Sequence, residues 1–347
     1  MMVPQNPKSF HVRGICTHKG GITMRMRIFV VVSVFLALSP AVFAQPAAKV
    51  ACDRACLQKY IDQYLDAMLA HKVSPELFAK NCRFTENGVQ LPLGGEGLWY
   101  GISGKGTYKF YVPDVETQQV AFIGTVKEGG AAPGAQTAPG AKTAQPATVA
   151  VAIRLKILNG LITEAEQLAI RPEQSLLGPA PASKFPPTGE AVEKMGAPNP
   201  IFAEVIPEAE RPSREELVKT ANYYFAGLQR NDGKGYYPFT DDCARFENGM
   251  QSTRECKKQF ENNLKGIVSR IRDRRFVAVD RERGIVFAFG FFDHVQIDWT
   301  WQLAELFKIE KGQIRRIEAV FHRCPYGMNS GWSTYEQGMS EEIQSIR

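Results

Sequence analysis

The spacing of apolar residues predicts one long amphipathic helix in each half of the chain. Over residues 54–70 the apolar side chains recur at steps of three and four residues, as one buried helix face requires; they are Leu57, Ile61, Tyr64, Leu65, Met68 and Leu69. Over residues 213–230 the stripe is formed by Leu217, Ala221, Tyr224, Phe225 and Leu228. Ser213 and Glu216 have the capping-box spacing that favours a helix start.

Runs of β-favouring residues, bounded by turn signals, predict four strands after each helix. In the first half they cover residues 106–112, 118–127, 148–158 and 161–170, with Asn159-Gly160 as a hairpin turn. In the second half they cover 275–280, 284–297, 298–310 and 313–322, and a further helix is expected near 255–268. Each half is therefore expected to be a helix followed by a curved antiparallel sheet, which is an α+β fold.

A nine-residue phrase occurs twice and indicates a tandem duplication. Residues 82–90 read CRFTENGVQ, and residues 243–251 read CARFENGMQ. The cysteine and the Glu-Asn-Gly-x-Gln segment keep the same spacing, whereas the Arg-Phe pair slips by one position. We expect the phrase to begin a strand at a Gly-containing bend in each copy, and any function to lie in the pocket of the repeated fold.

Length and composition fit two domains of moderate size. The chain has 347 residues, 44% hydrophobic and 22% charged. The expected divisions are a leader (1–44), a first domain (51–171), a Pro-rich linker (172–212), a second domain (213–335) and a C-terminal tail (336–347). Residues 129–147 are almost entirely Gly, Ala, Pro, Thr and Gln, so a disordered insert is expected there.

Residues 24–44 have the pattern of a secretory signal peptide. Arg25 and Arg27 precede a short apolar run, and small residues precede Gln45. The run is shorter than the roughly 20 residues of a membrane span, so the chain is expected to be secreted or periplasmic, with no membrane association after leader cleavage; an uncleaved anchor is the alternative. A start at Met24 or Met26 is also open.

The net charge of +6 arises mainly from the leader, which holds five basic residues and no acidic one. The remaining chain is close to neutral, which gives no support to a nucleic-acid partner. Outside the leader there are six cysteines, an odd number in each half: Cys52, Cys56, Cys82, Cys243, Cys256 and Cys324. Either one bridge joins the halves or each half keeps a thiol, because spacing alone does not determine the pairing.

The order of elements, together with FAFGFFDH (287–294) and EAVFHRCPYGM (318–328), resembles the NTF2-like superfamily, the cone fold of SnoaL-like and ketosteroid-isomerase-like proteins. The segments CDRACL (52–57), TENG (85–88) and PYGMNSGW (325–332) further resemble a secreted tandem-domain family of unknown function, DUF8021. The resemblance covers nearly all of residues 51–335 and implies two tandem NTF2-like domains. This fold hosts isomerases, dehydratases, lyases, ligand binders and adaptors, so it implies no single activity.

Ionisable residues on otherwise apolar strands are the candidates for catalysis. Asp293 and His294 end a run of phenylalanines, and strand alternation sends them to opposite faces, so at most one enters a cavity unless a bulge intervenes. Desolvation would raise the pKa of an inward Asp293 toward that of a general acid or base; the alternative is that the pair lies in solvent. Glu305 shares a face with apolar residues and is a candidate buried carboxylate.

His322 and Tyr326 complete the candidate set as acids or hydrogen-bond donors, although His322 belongs to a more polar strand face. The acid-base residues are concentrated in the second half, so any catalysis is expected there. The residues expected to contact a ligand are Glu86, Trp99, Tyr224, Glu247, Asn248 and Trp301. For Glu86 and Glu247 a structural role at the bend is favoured over a role in the pocket, because both copies keep the glutamate.

No metal and no cofactor is expected, because the histidines after the leader are not at ligand spacing and no phosphate-binding loop is present. Two functions stay open. The first is an exported protein that binds a small hydrophobic ligand in a cone-shaped pocket. The second is a cofactor-independent isomerase, dehydratase or lyase with Asp293 or Glu305 as the base. The expected partners are a small-molecule ligand and the other domain of the same chain, with a homodimer as a further option.

Overall fold

The computed structural model describes residues 51–129, 145–172, 185–262 and 268–344. The predicted signal peptide, nearly all of the 129–147 insert and residues 173–184 of the linker lie outside these ranges. No helix within the described ranges has the length and apolar character needed to cross a membrane.

The first repeat begins with helix α1 (Arg54–Leu69), whose N-terminus is capped by the side chain of Asp53. Strands β1 (Phe78–Glu86) and β2 (Val89–Gln90) follow, and then the single turn of helix α2 (Leu98–Gly101). Four long strands complete the sheet: β3 (Ile102–Asp114), β4 (Gln119–Glu128), β5 (Ala147–Leu158) and β6 (Leu161–Ile170).

The linker contains helix α3 (Thr188–Lys194) and two 3-10 turns, Pro200–Ala203 and Glu208–Glu210. The second repeat then has α4 (Arg214–Arg230), β7 (Phe239–Glu247), β8 (Met250–Thr253), α5 (Cys256–Glu261), β9 (Arg270–Asp280), β10 (Ile285–His294), β11 (Trp299–Glu310) and β12 (Gln313–Pro325). The short helix α6 (Tyr335–Met339) follows the last strand, and the predicted Ser213–Glu216 capping box is present at α4.

Each repeat forms its own six-stranded sheet, in the orders β2-β1-β6-β5-β4-β3 and β8-β7-β12-β11-β10-β9. The four long strands of each sheet pair antiparallel, as expected, but the sheets are mixed, because β1 runs parallel to β6 and β7 runs parallel to β12. The protein is an α+β fold with two repeated sheet domains.

One face of each sheet packs on its own helix. The buried stripe of α1 contacts the first sheet in one core, and the stripe of α4 contacts the second sheet in another. The opposite faces of the two sheets meet in a third core, to which β3 to β6 and β9 to β12 all contribute, together with Val192 and Phe202 of the linker. The order of layers is therefore helix, sheet, sheet, helix.

The segment after β12 crosses from the second repeat to the first sheet. The guanidinium groups of Arg83 and Arg154 both lie over the Trp332 ring, 4.4 and 4.5 Å from the ring centroid. Its indole nitrogen donates to Thr85 Oγ1 at 2.7 Å. This contact adds to the sheet-sheet core in holding the two repeats together.

Several predicted boundaries are wrong by a few residues. Strand β9 begins at Arg270 rather than at 275, and residues 295–297 form a 3-10 turn rather than the end of a strand. Helix α5 ends at Glu261, and residues 263–267 of the predicted helix lie outside the described residues. For β9 the arginine-rich segment 270–275 hid the first residues of the strand from the apolar pattern, whereas Val295 and Ile297 continue the apolar alternation although they form a turn.

Candidate functional site

The repeated phrase closes a tight hairpin in both repeats. Asn87 and Gly88 have φ values of 49° and 79°, and Asn248 and Gly249 have values of 50° and 79°, as an Asn-Gly turn of type I′ requires. The expectation that the phrase begins a strand at a Gly-containing bend is confirmed for β2 and β8, which start directly after the turn, but the phrase also ends β1 or β7, which the expectation did not include.

The asparagine side chain of each turn binds the neighbouring parallel strand. Asn87 Oδ1 accepts from the amide of Ala169 at 2.8 Å, and Asn248 Oδ1 accepts from the amide of Phe321 at 2.9 Å. The backbone N–H of Asn248 also donates to the carbonyl oxygen of Ala319. Asn248, a predicted ligand contact, therefore already uses these groups to hydrogen-bond the backbone of the neighbouring strand.

In the first repeat, Glu86 belongs to a saturated polar cluster on the helix-facing side of the sheet. Its carboxylate accepts from the Leu98 amide and from Gln167 Nε2, each at 2.8 Å, and from Arg171 at 2.8 Å. Tyr64 Oη donates to Gln167 Oε1 at 2.8 Å.

Trp99, which is fully buried, completes this cluster by donating its indole N–H to Tyr64 Oη at 3.1 Å. The tyrosine hydroxyl therefore donates one hydrogen bond and accepts another. Glu86 and Trp99 have structural partners in this arrangement, which favours the structural role for Glu86.

In the second repeat the matching place is held by Glu305, Tyr224, Arg245 and Glu247. Glu305 is 1% exposed, and its Oε2 atom has no hydrogen-bond partner in the described part of the chain. Burial raises the pKa of Glu305 to about 8, with a further rise from Glu247, while the Tyr224 hydrogen bond and the Arg245 charge act in the opposite direction. At neutral pH the carboxyl group is thus mostly protonated.

Arg245 lies beside this carboxyl group and is itself buried. Its Nη1 donates to Tyr224 Oη at 3.4 Å, and its Nε donates to Ser252 Oγ at 3.1 Å. Glu247 Oε1 is 3.5 Å from Arg245 Nε, and the Glu247 side chain is 30% exposed. The cluster therefore extends from a buried acid to the surface.

Strand register explains why the two clusters differ. In the first sheet Gln167 pairs with both Glu86 and Ile153, and in the second sheet the same position is Ala319, which pairs with Glu247 and Glu305. The Gln167 side-chain amide, which donates to Glu86 in the first repeat, thus has no counterpart in the second. The second repeat instead has an additional carboxyl group, that of Glu305, on the strand next to Ala319. Two carboxyl groups near each other favour the neutral form of the more buried one.

The slip of the Arg-Phe pair explains why Arg245 points inward. Phe84 pairs with Ala165, and Arg245 occupies the equivalent position opposite Ile317. Phe84 lies in the first helix-sheet core, so the one-residue slip replaces a buried phenyl ring by a guanidinium group. Arg245 was not among the predicted site residues, although the slip in the phrase is the signal that would have identified it.

Aromatic side chains surround the polar cluster. The Tyr224 ring lies 5.3 Å from that of Phe307 and 5.4 Å from that of Phe260. Further along the same face Trp301 stacks on Phe321 at 4.9 Å. The predicted contacts Tyr224 and Trp301 therefore line the same side of the sheet as Glu305.

His294 lies on this helix-facing side, and Asp293 lies on the other. The His294 ring is 4.4 Å from that of Trp301, and burial lowers the pKa of His294, which favours the neutral imidazole. Strand alternation thus separates the pair as expected.

Asp293 forms a buried ion cluster between the sheet and the segment after β12. Its Oδ2 accepts from Arg270 and from Arg272, at 2.5 and 2.8 Å, and its Oδ1 accepts from Thr300 at 2.7 Å. Burial acts to raise the pKa of Asp293, but the hydrogen bonds from Arg272, Thr300 and Arg270 outweigh it and hold the pKa below its usual value. The expected rise in the Asp293 pKa is therefore wrong, and the structure does not support Asp293 as a general acid or base with a raised pKa.

His322 and Tyr326 lie away from Glu305. His322 pairs with Gln302 in the ladder, on the face opposite to Glu305, and its Nε2 is 3.1 Å from Gln302 Oε1. Tyr326 is 42% exposed just after β12. The five predicted catalytic residues thus do not converge on one point.

An open cleft of about 760 Å³ lies elsewhere, between the start of α4, the end of the linker and Tyr236. Leu217, Thr220 and Tyr223 line it, and none of the sequence-predicted site residues does. Within the described ranges no group of three His, Cys, Asp or Glu side chains has the arrangement needed to hold a metal ion.

Solved structures with weak similarity to this chain each cover about a third of it. They include a designed protein with a curved β-sheet (18% identity, 32% of this chain and 88% of that one, TM-score 0.26) and an LEH-like epoxide hydrolase from M. tuberculosis (14%, 32% and 86%, TM-score 0.28). A protein of unknown function with a cystatin-like fold from Methylobium petroleophilum PM1 is 17% identical over 31% of this chain and 77% of its own, with a TM-score of 0.26. No curated protein has a significant sequence match. The family model described as Domain of unknown function (DUF8021) matches residues 51–169 and 210–321, one match on each repeat, and the chain belongs to this family.

Proposed function

We propose that this protein is an exported tandem NTF2-like protein whose second repeat binds a small, largely apolar ligand beside Glu305. The observation that carries the proposal is the buried Glu305 carboxyl group with an unpartnered oxygen and a pKa raised to about 8. A buried polar atom without a partner costs free energy, which a ligand that supplies the missing hydrogen bond recovers.

Aromatic residues define the class of ligand. Tyr224 lies beside the acid and packs against Phe260 and Phe307, and Arg245 supplies a buried positive charge beside it. These buried aromatic surroundings suit a hydrophobic molecule that carries one hydroxyl or carbonyl group. The first repeat is the less suitable site, because Gln167, Tyr64 and Trp99 satisfy one another there.

Two fluorescent or absorbing probes test this proposal: 2-naphthol and its methyl ether, 2-methoxynaphthalene. We expect 2-naphthol to bind and to raise the melting temperature. Above pH 8, where the Glu305 carboxylate is ionised and only accepts hydrogen bonds, we expect the ether to bind about tenfold more weakly because it has no hydroxyl donor. Glu305→Leu should remove this discrimination, because leucine fills the position without a carboxyl group.

Tyr236→Ala is the matched control, because Tyr236 is an exposed aromatic residue that lines the open cleft, whereas Glu305 does not line it. It should leave both affinities unchanged. Equal binding of the two probes to the unaltered protein, or loss of binding in Tyr236→Ala alone, contradicts the proposal.

The second candidate is a cofactor-independent isomerase, dehydratase or lyase. The raised Glu305 pKa favours it, since a group that holds its proton near neutrality can donate it to a substrate. Glu305 then acts as the acid, with the Tyr224 hydroxyl and the Arg245 charge beside the developing negative charge. Incubation with a metabolite extract and mass spectrometry tests this; products that form equally with Glu305→Gln would contradict it.

Export after cleavage near residue 44 is part of the same proposal. The apolar leader pattern supports it, and so does the disulfide between Cys52 and Cys56, which is typical of oxidising compartments. N-terminal sequencing of protein recovered from the periplasm or medium should give Gln45 as the first residue; recovery of the intact leader would contradict cleavage.

A further inference from the structure

Cys243 and Cys256 lie in contact in the interior of the second repeat. Cys243 is in strand β7 and Cys256 is the first residue of helix α5; they are 0% and 1% exposed. Their sulfur atoms are 2.6 Å apart. This separation is shorter than contact between unbonded sulfur atoms permits, and it approaches the S–S bond length of about 2.05 Å.

The surroundings show what a bond between these residues would hold in place. Helix α5 also carries Phe260, whose ring lies 5.0 Å from that of Phe239 in β7 and 5.4 Å from that of Tyr224. A covalent link at the first residue of α5 would fix this short helix against β7. A helix of six residues has little stability of its own, so it depends on such tertiary contacts.

We propose that the mature protein carries a second disulfide bond, between Cys243 and Cys256. The two thiols lose two protons and two electrons as the S–S bond forms, and a small-molecule or protein disulfide accepts the electrons and is reduced to two thiols. The bond forms during folding, while the sulfur atoms are accessible. Cys82 and Cys324 then remain as one thiol in each repeat, which resolves the odd cysteine number of each half.

The proposed pair accounts for a feature of the duplicated phrase. Cys82 and Cys243 occupy the same position in the two copies, yet Cys82 is partly exposed and Cys243 is buried. The first repeat has its disulfide at the start of α1 instead, between Cys52 and Cys56. The two repeats thus use different disulfides to hold a helix start.

Peptide mapping without reduction tests the proposal. Residues 45–347 are reduced and unfolded, refolded in a mixture of glutathione and glutathione disulfide, denatured again in the presence of N-ethylmaleimide and digested with trypsin. The expected product is a linked pair of peptides, residues 235–245 and 255–257, that separates on reduction, with maleimide on Cys82 and Cys324. Maleimide on both Cys243 and Cys256 would overturn the proposal, as would linkage of either one to another cysteine.

A thermal measurement gives an independent readout in the folded chain. Dithiothreitol should lower the melting temperature by about 5 °C or more, through loss of both disulfides. In Cys256→Ala this drop should be smaller, because only Cys52–Cys56 is left to reduce, whereas Cys82→Ala should show the full drop. An equal drop in Cys256→Ala and the unaltered protein would contradict the proposed bond.

Discussion

The guanidinium group of Arg54, at the start of α1, donates to both carboxylate oxygens of Asp280 at the end of β9, at 2.7 and 2.6 Å. The equivalent contact in the other direction joins Arg214, at the start of α4, to Asp114 at the end of β3, at 2.6 Å. Each helix start is thus attached to the sheet of the other repeat. Such reciprocal contacts are typical of a two-fold symmetric dimer, here within one chain.

Arg54→Ala should destabilise the protein by about 2 kcal/mol. Asp280 is 2% exposed and would lose its two charge-assisted hydrogen bonds, although it would keep the backbone amide of Arg283. Urea unfolding followed by tryptophan fluorescence measures the change. Lys59→Ala, at an exposed position of the same helix, should change the free energy by less than about 0.5 kcal/mol; equal effects of the two variants would contradict this account.

Glu305 should make the protein less stable as the pH rises from about 5 to 8. Its pKa is about 8 in the folded state against 4.5 for the ordinary group. The unfolded chain therefore releases its proton first, and over this interval the folded state binds more protons. The resulting loss of unfolding free energy is about 3 kcal/mol between pH 5 and 8.

Glu305→Gln should remove this contribution, because an amide does not titrate in this range. Unfolding free energies of the variant and the unaltered protein, measured at pH 5, 6, 7 and 8, should diverge in favour of the variant as the pH rises. Glu310→Gln, on the same strand but at its more exposed end, serves as the control. A difference between Glu305→Gln and the unaltered protein that stays constant with pH would argue against a raised Glu305 pKa.

Periodicity predicted most of the secondary structure, because the two helices and the long strands each bury one regular face. It failed for β1 and β7, whose polar segments give no clear alternation, and hence missed the parallel pairing of β1 with β6. For the site, the alternation around Trp301 and Phe307 predicted a buried Glu305, and the side chain is 1% exposed.

The chemistry of Asp293 was beyond prediction for a different reason. Its pKa depends on Arg270 and Arg272, which lie on the neighbouring strand β9. That strand has irregular register with β10, and no local pattern fixes such a pairing. Strand alternation predicted that Asp293 and His294 lie on opposite faces. The pKa of Asp293, however, depends on which residues of β9 pair with β10, and the sequence does not show this.

Gly249→Ala should destabilise the protein by about 3 kcal/mol, and Gly312→Ala by about 1 kcal/mol. Both glycines have positive φ values, 79° and 72°, so both variants strain the backbone. A β-carbon at Gly249 would also lie 2.5 Å from the backbone of Ala191 in α3, whereas nothing lies within 4 Å at Gly312. Both variants share the backbone strain, so the difference between their unfolding free energies, measured by thermal unfolding, gives the cost of the clash with Ala191. Similar losses of unfolding free energy in both would contradict close packing of the repeated turn on α3.

Asp293→Asn should cost about 3 kcal/mol or more of unfolding free energy at pH 7, because it leaves Arg270 and Arg272 beside a neutral amide in a buried site. Asp298→Asn is the matched control: Asp298 is exposed, and asparagine tolerates its φ of 50° equally well. Urea unfolding at several pH values also shows in which direction the pH changes the contribution of Asp293 to stability. The folded-state pKa of Asp293 is lowered, so its carboxylate contributes stability above the unfolded pKa, near 3.9, and loses it as the pH falls through the folded value. The difference between Asp293→Asn and the unaltered protein should therefore shrink only in strong acid, and a difference that shrinks between pH 8 and 6 would mean that Asp293 titrates as a base after all.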